Sequence, residues 1–181
     1  HPEYRRQRQM CIRDSSFCQL KVTSDEINTA LKITNKKLIN AIRKAYERIK
    51  NYHKRQFPKD DFYKDKQGVL LGSKWNPINS VGLYVPGGTA SYPSSVLMNA
   101  IPAIVAGVKR IVMVVPTQKG NMNPSILAAA KVLGINEIYK IGGAQAIGAL
   151  AFGTKSIKKV DKIFGPGNAY VALAKKNVFG T

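Results

Sequence analysis

The chain has 181 residues, 44% of them hydrophobic, enough for a buried core, and no apolar run of the about 18 residues a membrane-spanning helix needs. Its formal charge of +19 is spread along the chain, with 18 basic and 8 acidic side chains in residues 1–80 and 11 and 2 in residues 81–181. That spread differs from the clustered basic face of a nucleic-acid-binding module, which leaves nucleic-acid binding as the minor reading.

Residues 1–14 (HPEYRRQRQMCIRD) start at His1 rather than Met and lack the apolar core of a secretory signal. They read as a non-native or disordered leader, of the kind a translated adapter leaves, in preference to a basic transit segment. Cys11 falls inside it, so Cys18 is the one thiol credited to the protein. One thiol makes neither a disulfide nor a metal cluster, and the expected location is the cytosol. At the other end KKNVFGT closes a helical pattern with no strand to receive it, so the chain is expected to be cut at both ends.

Residues 15–80 read as a helical segment and loop, part of an incomplete second domain. Thr23 with Glu26 makes a capping box before INTALKI. Asn35 opens a longer helix whose apolar positions are Leu38, Ile39, Ile42, Ala45, Tyr46, Ile49 and Tyr52, three and four apart. The lysines and arginines between them read as a solvated face rather than a phosphate-binding one. His53 follows the stripe and reads as a packed or surface residue. Within the polar stretch 57–80, GVLLGSKW is a candidate hairpin strand. Asp60, Asp61 and Asp65 could bind Mg²⁺ or Ca²⁺, but no loop glycine or closing Glu completes a site, so a solvated loop is preferred.

Residues 81–181 read as an α/β, Rossmann-like nucleotide-binding domain, incomplete at its C-terminal end: a parallel sheet with flanking helices, preceded by the helical segment. Apolar runs at 80–85, 110–115, 137–141 and 162–165 alternate with helical patterns at 94–107, 123–134, 144–152 and 168–179. Asn123–Pro124 is a helix start, and Gly107 and Gly134 are stops.

Three glycine-rich turns, VPGG (85–88), IGGAQAIGALAFG (141–153) and FGPGNAYV (164–171), each follow a strand and open a helix. In parallel sheets ligands bind beyond the carboxyl ends of the strands, where helix N-termini present N–H groups to phosphate. Gly87, Gly88, Gly143 and Gly167 would let a ligand approach the backbone. None of the turns makes G-x-G-x-x-G or a Walker motif. Tyr84 could stack on a base or close the core. Gln145 could reach a phosphate or ribose, or be an ordinary first-turn residue. Asn168 could touch ligand or simply cap its helix. Residues 81–181 hold no His, no Cys and only two carboxylates, Glu137 and Asp161, so they offer a cofactor scaffold with almost nothing to do chemistry.

The stretches VGLYVPGGTASYPSSVLMNAIPAIVAGVKRIVMVVP, INEIYKIGGAQAIGALAFGT and VDKIFGPGNAYVALAKK, in that order, resemble the histidinol dehydrogenase family across about residues 20–181. The resemblance implies an NAD- and zinc-dependent homodimer that oxidises L-histidinol to L-histidine, through the aldehyde, in histidine biosynthesis. It carries the family's NAD contacts onto Tyr84, Gln145 and Asn168. It places the zinc ligands and the catalytic Glu–His pair beyond Thr181, so no catalytic or metal residue is assigned here. The alternatives are a basic nucleic-acid-binding module built on the helix at 35–56, and a different NAD(P)-dependent alcohol or aldehyde dehydrogenase.

Overall fold

A computed structural model describes residues 19–87, 92–117 and 120–180. The leader at 1–14, both cysteines and Gly88 lie outside the described residues. The chain begins with an extended piece, residues 20–22. It continues as α1 (Ser24–Ile33), α2 (Lys36–Lys54) and a two-stranded antiparallel hairpin, β1 (Asp61–Lys64) with β2 (Leu70–Ser73). Then β3 (Ser80–Tyr84), α3 (Pro93–Ala106), β4 (Arg110–Val114), α4 (Pro124–Val132), β5 (Glu137–Tyr139), α5 (Gly143–Phe152), β6 (Lys162–Phe164) and α6 (Ala169–Asn177) alternate. The last four strands form one parallel sheet in the order β5-β4-β3-β6. This is the α/β parallel sheet with flanking helices that the alternation predicts.

The helix ends follow local chemistry. Thr23 and Glu26 form the reciprocal capping box, and Asn35 accepts from the Lys37 N–H. Asn123 caps α4 with proline at the first turn, and α3 stops at Gly107 in the left-handed region, φ 83°.

The sheet is buried on both faces, with side chains alternating. Val81, Leu83, Val85, Met113, Val115 and Ile138 point to the side of α3 and α4. Tyr84, Val112, Val114 and Tyr139 point to the side of α5 and α6, where they meet Ala146, Ile147, Leu150 and Val171. Helix α1 packs on α4, and α2 on α3, so these two helices add an outer layer to the first face. Each fully covered Val, Leu or Ile contributes about 1.5–3 kcal/mol of transfer free energy.

Two details differ from the sequence reading. Residues 20–22, just before the Thr23 cap, join the sheet: the Val22 N–H donates to Ile138 O and the Lys140 N–H to Leu20 O, covering the outer edge of β5. An edge strand presents unpaired backbone groups, and a short antiparallel bridge satisfies them. The candidate strand in GVLLGSKW does form, and its partner is Asp61–Lys64, a stretch that reads as loop because its four residues are all exposed and show no alternation.

At the carboxyl end of the sheet, adjacent turns touch backbone to backbone. A Cβ on Gly165, φ +112°, would lie 2.0 Å from the Tyr84 carbonyl oxygen. On the other side Pro116, just after β4, fills the space that side chains on Gly87 and Gly142 would need. Substituting Gly165→Ala is therefore expected to cost about 3 kcal/mol or more, through both the φ and the clash. Gly148→Ala, inside α5 with open space around its Cα, should instead gain about 0.5–1 kcal/mol. Denaturant unfolding of the two variants decides; a mild Gly165→Ala effect contradicts the contact.

Candidate functional site

The carboxyl ends of β3, β5 and β6 and the N-termini of α5 and α6 converge on one rim. Helices α5 and α6 pack side by side on one face of the sheet, so their N-termini open at the same end of that face. The Tyr84 side chain lies in the same cluster, 5% exposed, and its hydroxyl accepts the Gly143 N–H at 3.0 Å. Of the two roles open to Tyr84, the structure supplies the core-closing one directly. The ring is covered, and the phenol oxygen takes the first amide of α5.

Gln145 is the third residue of α5 and is exposed. The α5 cap, Gly142, brings no side-chain acceptor, and the Tyr84 hydroxyl takes one amide of the first turn. Asn168 caps α6, its Oδ1 accepting the Val171 N–H at 3.1 Å, and its residue is exposed. The structure thus brings Tyr84, Gln145 and Asn168 to one end and one face of the sheet. The missing side chain of Gly167 leaves room for Val171 of the helix that follows, and that of Gly87 leaves room for Pro116. Those two glycines serve the packing of the rim.

The two carboxylates of residues 81–181 stand at the opposite end. Glu137 opens β5 and takes Arg110 in a fork, Nε to Oε2 at 2.9 Å and Nη2 to Oε1 at 2.7 Å. Arg110 opens β4 and also donates to the carbonyls of Lys158 and Lys159. Asp161 precedes β6 and accepts from the Ser80 N–H and hydroxyl at 2.7 and 2.8 Å. These four residues tie together the amino ends of the strands, at a distance from any chemistry at the carboxyl rim. Sequence reasoning passed over Ser80 and Arg110. The available signal was that each stands at the first position of an apolar run, as the two acids nearly do.

Asp60 accepts the Trp75 N–H, and Asp65 accepts the Gln67 and Val69 N–H groups, so these acids hold the hairpin and its turn. Among the described residues no group of three or more His, Cys, Asp or Glu side chains could hold a metal ion. His53 bonds to Gln56 at 2.7 Å and meets Tyr52 edge-on. An open groove of about 600 Å³ lies between the end of α2, the chain after the hairpin and α3, lined by Phe57, Trp75, Pro77, Met98 and Pro102. It is apolar, reaches Val81 and Val108 near the amino ends of β3 and β4, and also takes in Phe164 at the end of β6. No described helix is long and apolar enough to cross a membrane.

Burial opposes ionisation of Glu137, yet its bonds to Arg110 outweigh this and hold the carboxyl below the usual range. The hydroxyl and backbone of Ser80 lower Asp161 in the same direction. A carboxyl lowered on folding stabilises the fold above its unfolded value and loses that contribution as pH falls through the folded one. Stability should therefore be level from neutral pH to about 5 and decline below the ordinary values of 4.5 and 3.8. Arg110→Met should cost about 1–3 kcal/mol at pH 7, the pair being a quarter exposed, and the difference should narrow near pH 3. Unfolding curves across pH measure both, and a gap that is constant with pH excludes the ion pair as its source.

Comparison with known proteins gives a consistent result. The family model for histidinol dehydrogenase matches residues 3–181. A histidinol dehydrogenase of Rhizobium meliloti (strain 1021) is 60% identical over 168 residues, 93% of this chain and 39% of that protein. One of Rhodospirillum rubrum is 56% identical over 162 residues, 90% of this chain and 37% of that protein. A crystal structure of histidinol dehydrogenase from Elizabethkingia anophelis superposes with a TM-score of 0.87 at 40% identity, covering 97% of this chain and 42% of that one. The chain therefore spans about two fifths of the length of the relatives it matches.

Proposed function

This chain belongs to the histidinol dehydrogenase family, and from that membership we propose that it is the cofactor-side segment of an enzyme oxidising L-histidinol to L-histidine with NAD⁺. The observation that carries the reading is the meeting of two helix N-termini, α5 and α6, on the face that holds Tyr84. Neither alternative, a basic nucleic-acid module or another dehydrogenase, gains support from the relatives.

NAD⁺, when bound, accepts the hydride; the chain's own residues bind and orient it. The open first turn of α5 supplies amide N–H groups and the positive end of a helix dipole to a pyrophosphate. Gln145, exposed on that turn, offers an amide to a phosphate or ribose. Asn168 uses its Oδ1 for the cap and keeps its Nδ2 for a ligand. Tyr84 holds Gly143 in place and floors the cleft beneath the cofactor. The net charge of +19 favours an anionic ligand in general, without selecting this one.

Zinc does not fit the described residues, since they contain no cluster of ligating side chains. Zinc ligands and a proton-handling group would come from other parts of such an enzyme, and so would the contacts of a homodimer. On this reading the part this segment plays in the reaction is to hold NAD⁺.

Two outcomes are expected. Asn168→Asp keeps a good helix cap and should leave the melting temperature nearly unchanged. It should also weaken NAD⁺ binding about tenfold, by setting a negative charge beside the cofactor's phosphates. Gln145→Ala should weaken it by a smaller factor. Titration calorimetry on the 181-residue chain measures this, and equal affinities for all three proteins would remove Gln145 and Asn168 from the site. The same chain, given histidinol, NAD⁺ and zinc, should produce no NADH; sustained turnover would show that the acid–base and metal groups lie within it after all.

A further inference from the structure

Lys175 is a half-buried cation behind the turn that leads into α6. It lies on α6, two helical turns after the cap Asn168. Helical side chains lean toward the N-terminus of their helix, and a lysine is long enough to lie back over the first turn. Its ammonium donates to the carbonyl oxygen of Gly165. Neither of the ion pairs described in the chain includes it.

Gly165 is the residue pressed against the Tyr84 backbone at φ +112°. The segment from there to Asn168 is Gly165-Pro166-Gly167-Asn168. Two glycines make it entropically costly to order, and the proline has no N–H with which to tie itself down. A hydrogen bond from a charged donor to its first carbonyl is a strong local restraint. Burial also pushes the lysine's pKa below the ordinary value, so the amine is held there against its own desolvation.

We propose that Lys175 is a positioning residue for the nucleotide site: it clamps the Gly165–Asn168 turn from behind and so sets where Asn168 and the α6 N-terminus meet the cofactor. This rests on the reading of the rim as an NAD⁺ site. It also places a positive charge behind the turn, in line with an anionic ligand in front of it.

The test compares Lys175→Met, which keeps the stem and removes the donor, with Lys175→Arg, which keeps a cationic donor. Amide exchange at Gly165, Gly167 and Asn168, NAD⁺ affinity and thermal melting are measured on the full 181-residue chain. Lys175→Met is expected to speed exchange at these amides about tenfold, leave exchange in β3 and β4 unchanged, and raise the Kd for NAD⁺ about tenfold. Lys175→Arg should restore both to within about threefold. The proposal is overturned if Lys175→Met leaves turn exchange and Kd unaltered. It is equally overturned if exchange rises uniformly with a fall in melting temperature that Arg does not rescue, which is the signature of a merely structural lysine. If the unsubstituted chain binds no NAD⁺, the cofactor reading itself fails and with it the site role of Lys175. The exchange measurement, which uses no cofactor, still decides the clamp.

Discussion

The contact between the backbone of Gly165 and that of Tyr84 is the constraint on which the carboxyl rim depends. The turn after β6 comes so close to the end of β3 that no side chain fits between them. This sets the starting point of α6. Because α6 packs on α5, and the Tyr84 hydroxyl takes the first amide of α5, one tight approach links the positions of both helix N-termini. A small displacement there would be passed to every group proposed to hold the nucleotide, as close-packed interiors transmit strain.

The sheet separates two kinds of electrostatics. At the amino ends of the strands, ionised side chains are satisfied locally: Arg110 pairs with Glu137, and Asp161 accepts from the N–H and neutral hydroxyl of Ser80. A similar pair, Lys140 with Glu26, joins the end of β5 to α1 and leaves the glutamate below its usual pKa range, its hydrogen bonds outweighing burial. At the carboxyl ends, charge is presented mainly by backbone dipoles rather than by carboxylates. A negative ligand therefore meets N–H groups at the turns before α5 and α6, while Glu26, the acid beside the end of β5, is paired with Lys140. The division follows from parallel strands, which put every following helix N-terminus at one end.

The hairpin shows a different solution to stability. Its eight strand residues are all exposed, and a lone two-stranded ribbon is marginal in water. Its order comes from side-chain acceptors: Asp65 gathers two amides of the turn, and Asp60 holds Trp75 on the far side. Within the acidic cluster that the sequence reads as a solvated loop, Asp60 and Asp65 thus act as ties.

Much was legible in the sequence because it is local. Apolar runs with helical periodicity between them determined the α/β alternation, and Thr23, Asn35, Asn123, Gly107 and Asn168 marked helix ends through interactions within a few residues. The glycine turns, and with them Tyr84, Gln145 and Asn168, could be assigned to strand ends for the same reason. Tertiary structure alone decided the strand order β5-β4-β3-β6, the cover of residues 20–22 on β5, and the use of Glu137 and Asp161 as fasteners at the amino ends. It also decided that Tyr84 is covered and bonded to Gly143, and that Lys175 reaches back to Gly165. These join residues from 10 positions apart, Gly165 and Lys175, to 120 apart, Leu20 and Lys140. Periodicity and capping report what a residue prefers beside its neighbours, whereas such contacts depend on which surfaces meet once the sheet is assembled, and no local pattern encodes that.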